Sequence, residues 1–171
     1  MFAKRIRDAY EQKGNICVCL CKGRDAAEWG IPMLEGSLKE WTGNMFRECD
    51  SLLFIGAAGI AVRAIAPFVA SKASDPAVLV MDEQGHFVIS LLSGHLGGAN
   101  ALTREIAALV GAVPVITTAT DAGGRFSVDD FARREHLYLD SLPLAKAVAA
   151  DILEQRTIGL YSDFEVVGQI P

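Results

Sequence analysis

No stretch of this chain is apolar for long enough to cross a bilayer, which takes roughly 20 residues. The start, Met1-Phe-Ala-Lys-Arg-Ile-Arg7, runs into Asp8 and Glu11 without the apolar core of a signal peptide. A cytoplasmic protein with no membrane segment is expected. A basic tract is missing too. The net charge is −5 over 171 residues, and four basic side chains face eight acidic ones after residue 126. A nucleic-acid partner is therefore not expected. There is no internal repeat and no low-complexity tract.

Several catalytic and metal-binding signatures are also lacking. The cysteines, Cys17, Cys19, Cys21 and Cys49, show no C-x-x-C spacing. The first three alternate, so in a strand they share one face, roughly 6.6 Å apart and badly placed to pair as disulfides. Val18 and Leu20 fill the other face, which predicts a strand over 16–21 buried on both sides with a row of reduced core thiols. A three-thiolate metal site is the sharper alternative. No glycine-rich turn carries the lysine and hydroxyl of a P-loop or the full dinucleotide fingerprint. No Gly-x-Ser-x-Gly elbow is present.

What the chain does have is apolar substance, 51% of residues, arranged as strands alternating with helices. Phe2, Ile6, Ala9 and Tyr10 predict a helix over 2–12, closed by Lys13-Gly14-Asn15. A helix over 37–48 has Ser37 as its N-cap. Strand 51–55 passes through Gly56-Ala-Ala-Gly59 into helix 59–66, which Pro67 limits. Asp75-Pro76 enters strand 77–81, and Asp82-Glu-Gln-Gly85 turns it into an antiparallel strand 87–92. Helix 99–110 ends at Gly111. A buried strand over 114–118 follows. Ser127-Val-Asp-Asp130 reads as a capping box opening helix 128–136. The fold class expected is α/β, a mostly parallel open sheet flanked by helices with one antiparallel hairpin. Residues 1–136 form the N-terminal domain in this reading, and 137–156 a linker and helix. Residues 157–171, with a strand at 157–161, begin a second, incomplete domain.

The polar residues cluster at strand ends. Ser93-Gly94-His95-Leu96-Gly97-Gly98-Ala99-Asn100 joins an apolar strand to a helix, where open α/β sheets place binding and reacting groups. The turn 56–59, this octapeptide and Thr117-Thr118-Ala-Thr-Asp121 are expected to open on one edge and form one crevice. His95 stands alone there among histidines, and imidazole chemistry suits proton transfer. Asn100 either caps the turn or donates to a carbonyl or carboxylate oxygen. Ser93 is a weaker nucleophile candidate. Arg63, isolated on an apolar helix, needs water, a salt bridge or a substrate carboxylate. Asp75 reads first as a turn residue, then as a site carboxylate. His86 and His136 read as surface residues.

Four ordered segments carry a family likeness: Gly-Ala-Ala-Gly-Ile-Ala-Val-Arg (56–63), Lys72 with Asp75-Pro76-Ala-Val78, Leu-Leu-Ser-Gly-His-Leu-Gly-Gly-Ala-Asn (91–100) and Pro-Val-Ile-Thr-Thr-Ala-Thr-Asp (114–121). Together they resemble the cobalamin biosynthesis protein CbiG family, with the specific match over about 51–131. Residues 157–171 resemble the opening of that family's middle domain. The family's usual N-terminal strand is missing or replaced, and its C-terminal domain is absent, so the chain is expected to be part of a longer protein. The resemblance implies a cobalt-precorrin-5A hydrolase of anaerobic cobalamin (vitamin B12) synthesis. Such an enzyme opens a δ-lactone on a corrinoid with release of acetaldehyde, and cobalt sits in the substrate rather than in a protein-bound cofactor. A non-catalytic corrinoid-binding module is the alternative. Against that substrate, His95, Asn100 and Ser93 are the catalytic candidates. Gly56, Gly59, Arg63, Lys72, Asp75, Gly94, Gly97, Gly98, Thr117, Thr118 and Asp121 are the substrate-binding ones. Further expected partners are other cobalamin-pathway enzymes or a second copy of the chain.

Overall fold

The computed structural model describes residues 2–23, 26–118, 126–135 and 137–164. Its centre is a strand with no polar side chain. Strand β2 (Ala77–Met81) is buried along its whole length, so both of its faces must be covered. Ala77, Leu79 and Met81 join one core cluster with Ile6, Val88, Ala99, Ile106 and Ala107. Val78 joins the other with Phe46 and Ile65. The period of two along a strand thus splits β2 between two cores. Full burial of each large apolar side chain there contributes about 1.5–3 kcal/mol.

Around β2 lie β1 (Ser51–Ile55), β3 (Phe87–Leu92) and β4 (Val113–Val115), in the sheet order β1-β2-β3-β4. β1 pairs with β2 in parallel, β2 with β3 antiparallel, and β3 with β4 in parallel. Two of three pairings are parallel, each bridged by a helix: α4 (Ala58–Ile65) and α5 (Ala99–Val110). The expected hairpin is present, with Gly85 at φ 72° in its turn. The ring of Phe2 packs where a Cβ on Gly85 would stand. This pins α1 (Phe2–Glu11) over the hairpin turn on the α5 side of the sheet. Lys13 adds an ion pair to Glu105 of α5.

On the other face α3 (Leu38–Glu48) packs beside α4. Its N-terminus is the expected one. Ser37 Oγ accepts from the Glu40 amide at 3.1 Å, and the Glu40 carboxylate accepts in return from the Ser37 amide. That is a reciprocal capping box. The rest of the chain adds α2 (Ala26–Trp29), α6 (Val128–Arg134) and α7 (Leu142–Leu153), the last capped by Ser141 and burying no residue. Among the described residues, no helix is long and apolar enough to cross a membrane.

Three elements differ from expectation. Residues 16–21 are not a buried strand. Ile16 is 97% and Val18 61% exposed, and a single bridge from Cys21 to Met33 is the segment's sheet contact. Alternating apolar residues make a strand only where a neighbouring strand supplies hydrogen bonds, and none lies alongside. The strand at 114–118 is shorter and more exposed than expected, covering 113–115 at the edge of the sheet. Residues 157–161 carry no regular structure. His136 lies outside the described residues, and so does the Asp130 side chain of the expected capping box.

Candidate active site

Strand direction decides which polar loops can meet. Ile55 is level with Met81, Met81 with Val88, and Val88 with Pro114. The turn after β1 therefore opens on the edge where β3 begins. The turns after β3 and β4 open on the opposite edge, five residues away, or roughly 16 Å at 3.3 Å per residue. The single crevice expected from three loops is corrected. Gly56 and Gly59 lie at one edge, whereas Ser93–Asn100 and Thr117–Thr118 lie at the other. Asp121 falls outside the described residues. Arg63, on α4, is exposed and donates from Nη1 to the Gly59 carbonyl at 3.1 Å, so water and its own helix satisfy it.

The populated edge is built around the 93–98 turn. Ser93 takes the left-handed conformation, φ 56°, which a residue with a Cβ rarely adopts. Its carbonyl accepts from the Ala99 amide at 3.1 Å, the Gly94 carbonyl from Asn100 at 2.9 Å, and the His95 carbonyl from Gly98 at 2.9 Å. The first amides of α5 are thus used by the turn itself. The amides of Gly98, Ala99 and Asn100 each bond to a carbonyl of the turn. Gly97 is required by contact. A Cβ there would stand 2.4 Å from Ser93 Cβ and 2.9 Å from the Ser93 carbonyl oxygen. Ser93 itself is 8% exposed, and among the described residues its buried Oγ has no hydrogen-bond partner and no base beside it.

Asn100 is the brace of this edge. It is 1% exposed. Its Oδ1 accepts from Ser90 Oγ at 2.7 Å, and its Nδ2 donates to Thr118 Oγ1 at 2.9 Å. The amide ties β3, the start of α5 and the segment after β4 together. A carboxamide bonded in this way positions its neighbours. Thr118 serves the same brace, and Thr117 is exposed beside it.

The 70–76 loop closes the edge from the β2 side. Asp75 Oδ2 accepts from the amides of Ala70 and Ser71 at 2.9 and 3.0 Å. It is the turn residue of that loop, not a free carboxylate. A Cβ on Gly97 would also stand 3.4 Å from the Asp75 carbonyl, so the two turns lie back to back. Lys72 projects from this loop with its side chain half exposed.

One residue that the sequence reading did not single out completes the cluster. Asp129, in the first turn of α6, sits with Oδ1 3.6 Å from His95 Nδ1 and Oδ2 3.7 Å from Lys72 Nζ. Ser127 Oγ donates to Asp129 Oδ1 at 2.6 Å. The side chains of His95 and Asp129 are 17% and 16% exposed. The Ser-x-Asp spacing was visible in the sequence, but nothing local said that it would meet His95. The arrangement can hold an imidazole in one orientation, beside a cation that is open to solvent.

The cysteines take no part. Burial pushes the thiols of Cys17, Cys19 and Cys49 up, which disfavours thiolate. Among the described residues no group of three or more His, Cys, Asp or Glu side chains is placed to hold a metal ion. His86 is at the surface, 3.5 Å from Asp82.

Comparison with known proteins places this edge in a family context. Residues 40–121 match the family model described as cobalamin synthesis G N-terminal. The chain is 45% identical over 144 residues to a cobalt-precorrin-5A hydrolase from Salmonella typhimurium, covering 84% of this chain and 41% of the relative. It is 40% identical over 139 residues to one from Priestia megaterium, covering 81% and 37%. A solved structure described as a cobalamin biosynthesis protein G homolog, from Sulfolobus solfataricus, aligns over 82% of this chain and 45% of its own, with 23% identity and a TM-score of 0.44. The chain spans about two fifths of the length of the curated relatives it matches.

Proposed function

We propose that this chain, whose residues 40–121 match the cobalamin synthesis G N-terminal family model, works as part of a cobalt-precorrin-5A hydrolase. It would open the δ-lactone of a cobalt-corrinoid, with release of acetaldehyde. The observation that carries this reading is the 45% identity over 144 residues with a hydrolase of that name. The geometry supports a division of labour at one sheet edge. His95 takes a proton from the attacking water as general base. Lys72, half exposed beside it, meets a peripheral carboxylate or the developing negative charge. Cobalt enters as part of the substrate, and no protein-bound cofactor is invoked. Residues 1–136 serve as the N-terminal domain. The cytoplasm is the proposed compartment, consistent with four cysteines that are all free.

The test is to mix the chain with cobalt-precorrin-5A and follow corrinoid absorbance and acetaldehyde together. Release of acetaldehyde that falls about 10²–10⁴-fold in His95→Ala supports the base assignment. Full turnover in that variant removes it. An absorbance change without acetaldehyde from the wild-type chain replaces the catalytic reading with that of a corrinoid-binding module.

A further inference from the structure

We infer that Asp129 is the positioning residue of His95, holding the imidazole with its proton on Nδ1 so that Nε2 faces the reacting water as a base. The inference rests on the proposed reading of His95, but the geometry behind it is independent of any substrate. Asp129 comes from α6 and His95 from the β3–α5 turn, so their approach is a tertiary contact and not a consequence of neighbouring sequence. Both side chains are about five-sixths buried, and Oδ1 stands 3.6 Å from Nδ1. The carboxylate is itself held. Ser127 Oγ donates to Oδ1 at 2.6 Å, and Lys72 Nζ lies 3.7 Å from Oδ2.

A carboxylate fixed on both oxygens presents an acceptor to one ring nitrogen. An acceptor on that side favours the tautomer with its proton on Nδ1, because a neutral imidazole carries one N–H and one lone pair. The lone pair then falls on the far nitrogen. This is the role an orienting carboxylate plays wherever a histidine must act as base, and its loss leaves the ring in the wrong tautomer. The carboxylate also stabilises the imidazolium formed when His95 takes the proton. The backbone of the turn restrains the main chain from which the ring projects. Ser93 is held in a left-handed conformation against Gly97, and the His95 carbonyl accepts from Gly98. Side chain and main chain are therefore restrained from different elements. Among the described residues, Asp129 faces this histidine and Lys72 lies against Asp129.

The experiment reads the ring itself and then the reaction. Nitrogen-15 spectra of the histidine side chains are recorded on the wild-type chain, with His95 assigned by its missing signals in His95→Gln among the three histidines. The expected result is a neutral His95 protonated on Nδ1, with the Nε2–H tautomer rising in Asp129→Asn. A wild-type His95 that is Nε2–H, or a spectrum that Asp129→Asn leaves unchanged, overturns the inference. If Asp129→Asn does not fold, the wild-type tautomer alone decides. In the acetaldehyde assay, kcat falls about tenfold or more in Asp129→Asn while KM stays within about threefold, and Asp129→Glu restores part of the loss. Equal kcat in wild type and Asp129→Asn also overturns it. A wild-type chain with the Nδ1–H tautomer but no lactone opening sinks the functional reading and leaves the pairing of Asp129 with His95 standing.

Discussion

Two turns in this protein look alike on paper: the one from β1 into α4 and the one from β3 into α5. Each follows an apolar strand, holds glycines and starts a helix. In three dimensions they differ. Nothing lies within 4 Å of a Cβ built on Gly56, and one built on Gly59 meets the end of the flexible Arg63 side chain at 3.2 Å. At the other turn, a Cβ on Gly94 would stand 2.8 Å from Asn100 Oδ1, and one on Gly97 would overlap Ser93. In the first turn Gly56 serves backbone shape, with φ 147°. In the second turn Gly98 does the same at φ 82°, but Gly94 and Gly97 make room for groups that must touch. Glycine count therefore says little about a site, whereas what crowds the glycine says much.

The sharpest way to break this comparison is Gly97→Ala. The new Cβ meets Ser93 Cβ and its carbonyl oxygen, both part of a turn already closed by three backbone hydrogen bonds. Neither neighbour is the loose end of a side chain. We expect a loss of about 3 kcal/mol, at the upper end of ordinary overpacking. Urea unfolding of wild type and variant measures it. A loss below about 0.5 kcal/mol would mean that the turn relaxes freely and that the contrast is unfounded.

Asn100→Ala tests the brace behind the same turn. The substitution strands the hydroxyls of Ser90 and Thr118, which now bond to the amide at 2.7 and 2.9 Å. Losing both bonds at this half-buried place costs about 1–2 kcal/mol. The same urea series checks this value, and an unchanged midpoint would show that water takes the amide's place at no cost.

Much of this architecture can be read from the residues. Five consecutive apolar residues over 77–81 call for a strand covered on both faces, and Gly111 stops α5 at the expected place, with φ 81°. Even the opposition of the two turns was written in the chain. The hairpin encoded by Asp82–Gly85 runs β3 against β1, so their C-terminal turns must open on opposite edges. Joining three loops in one crevice overlooks that reversal. Other features had no local signature. The alternation in 16–21 fits a strand, but pairing depends on a neighbour that the segment's own residues do not reveal. Asp129 carries the marks of a helix start, and its approach to His95 depends on how α6 docks beside the β3–α5 turn. Burial of Asn100 likewise depends on distant partners, Ser90 and Thr118, since a polar residue opening a helix would ordinarily face water.

The smallest effect, and the one that finishes the comparison, is expected at Gly59. It lies inside α4, near its start, with ordinary helical φ. An added Cβ meets Arg63 Nη1 alone, and that guanidinium is exposed and free to swing aside. The hydrogen bond from Arg63 uses the Gly59 carbonyl, which alanine keeps. Removing glycine from a helix stabilises it by up to about 1 kcal/mol, because the unfolded chain loses freedom. Part of that gain is spent on moving the arginine, so Gly59→Ala should come out between neutral and about 0.5 kcal/mol more stable. Its sign is then opposite to that of Gly97→Ala for the same chemical change. If both substitutions destabilised alike, the two turns would be equally packed. The claim that the β3–α5 turn alone is built by close contact would then fall.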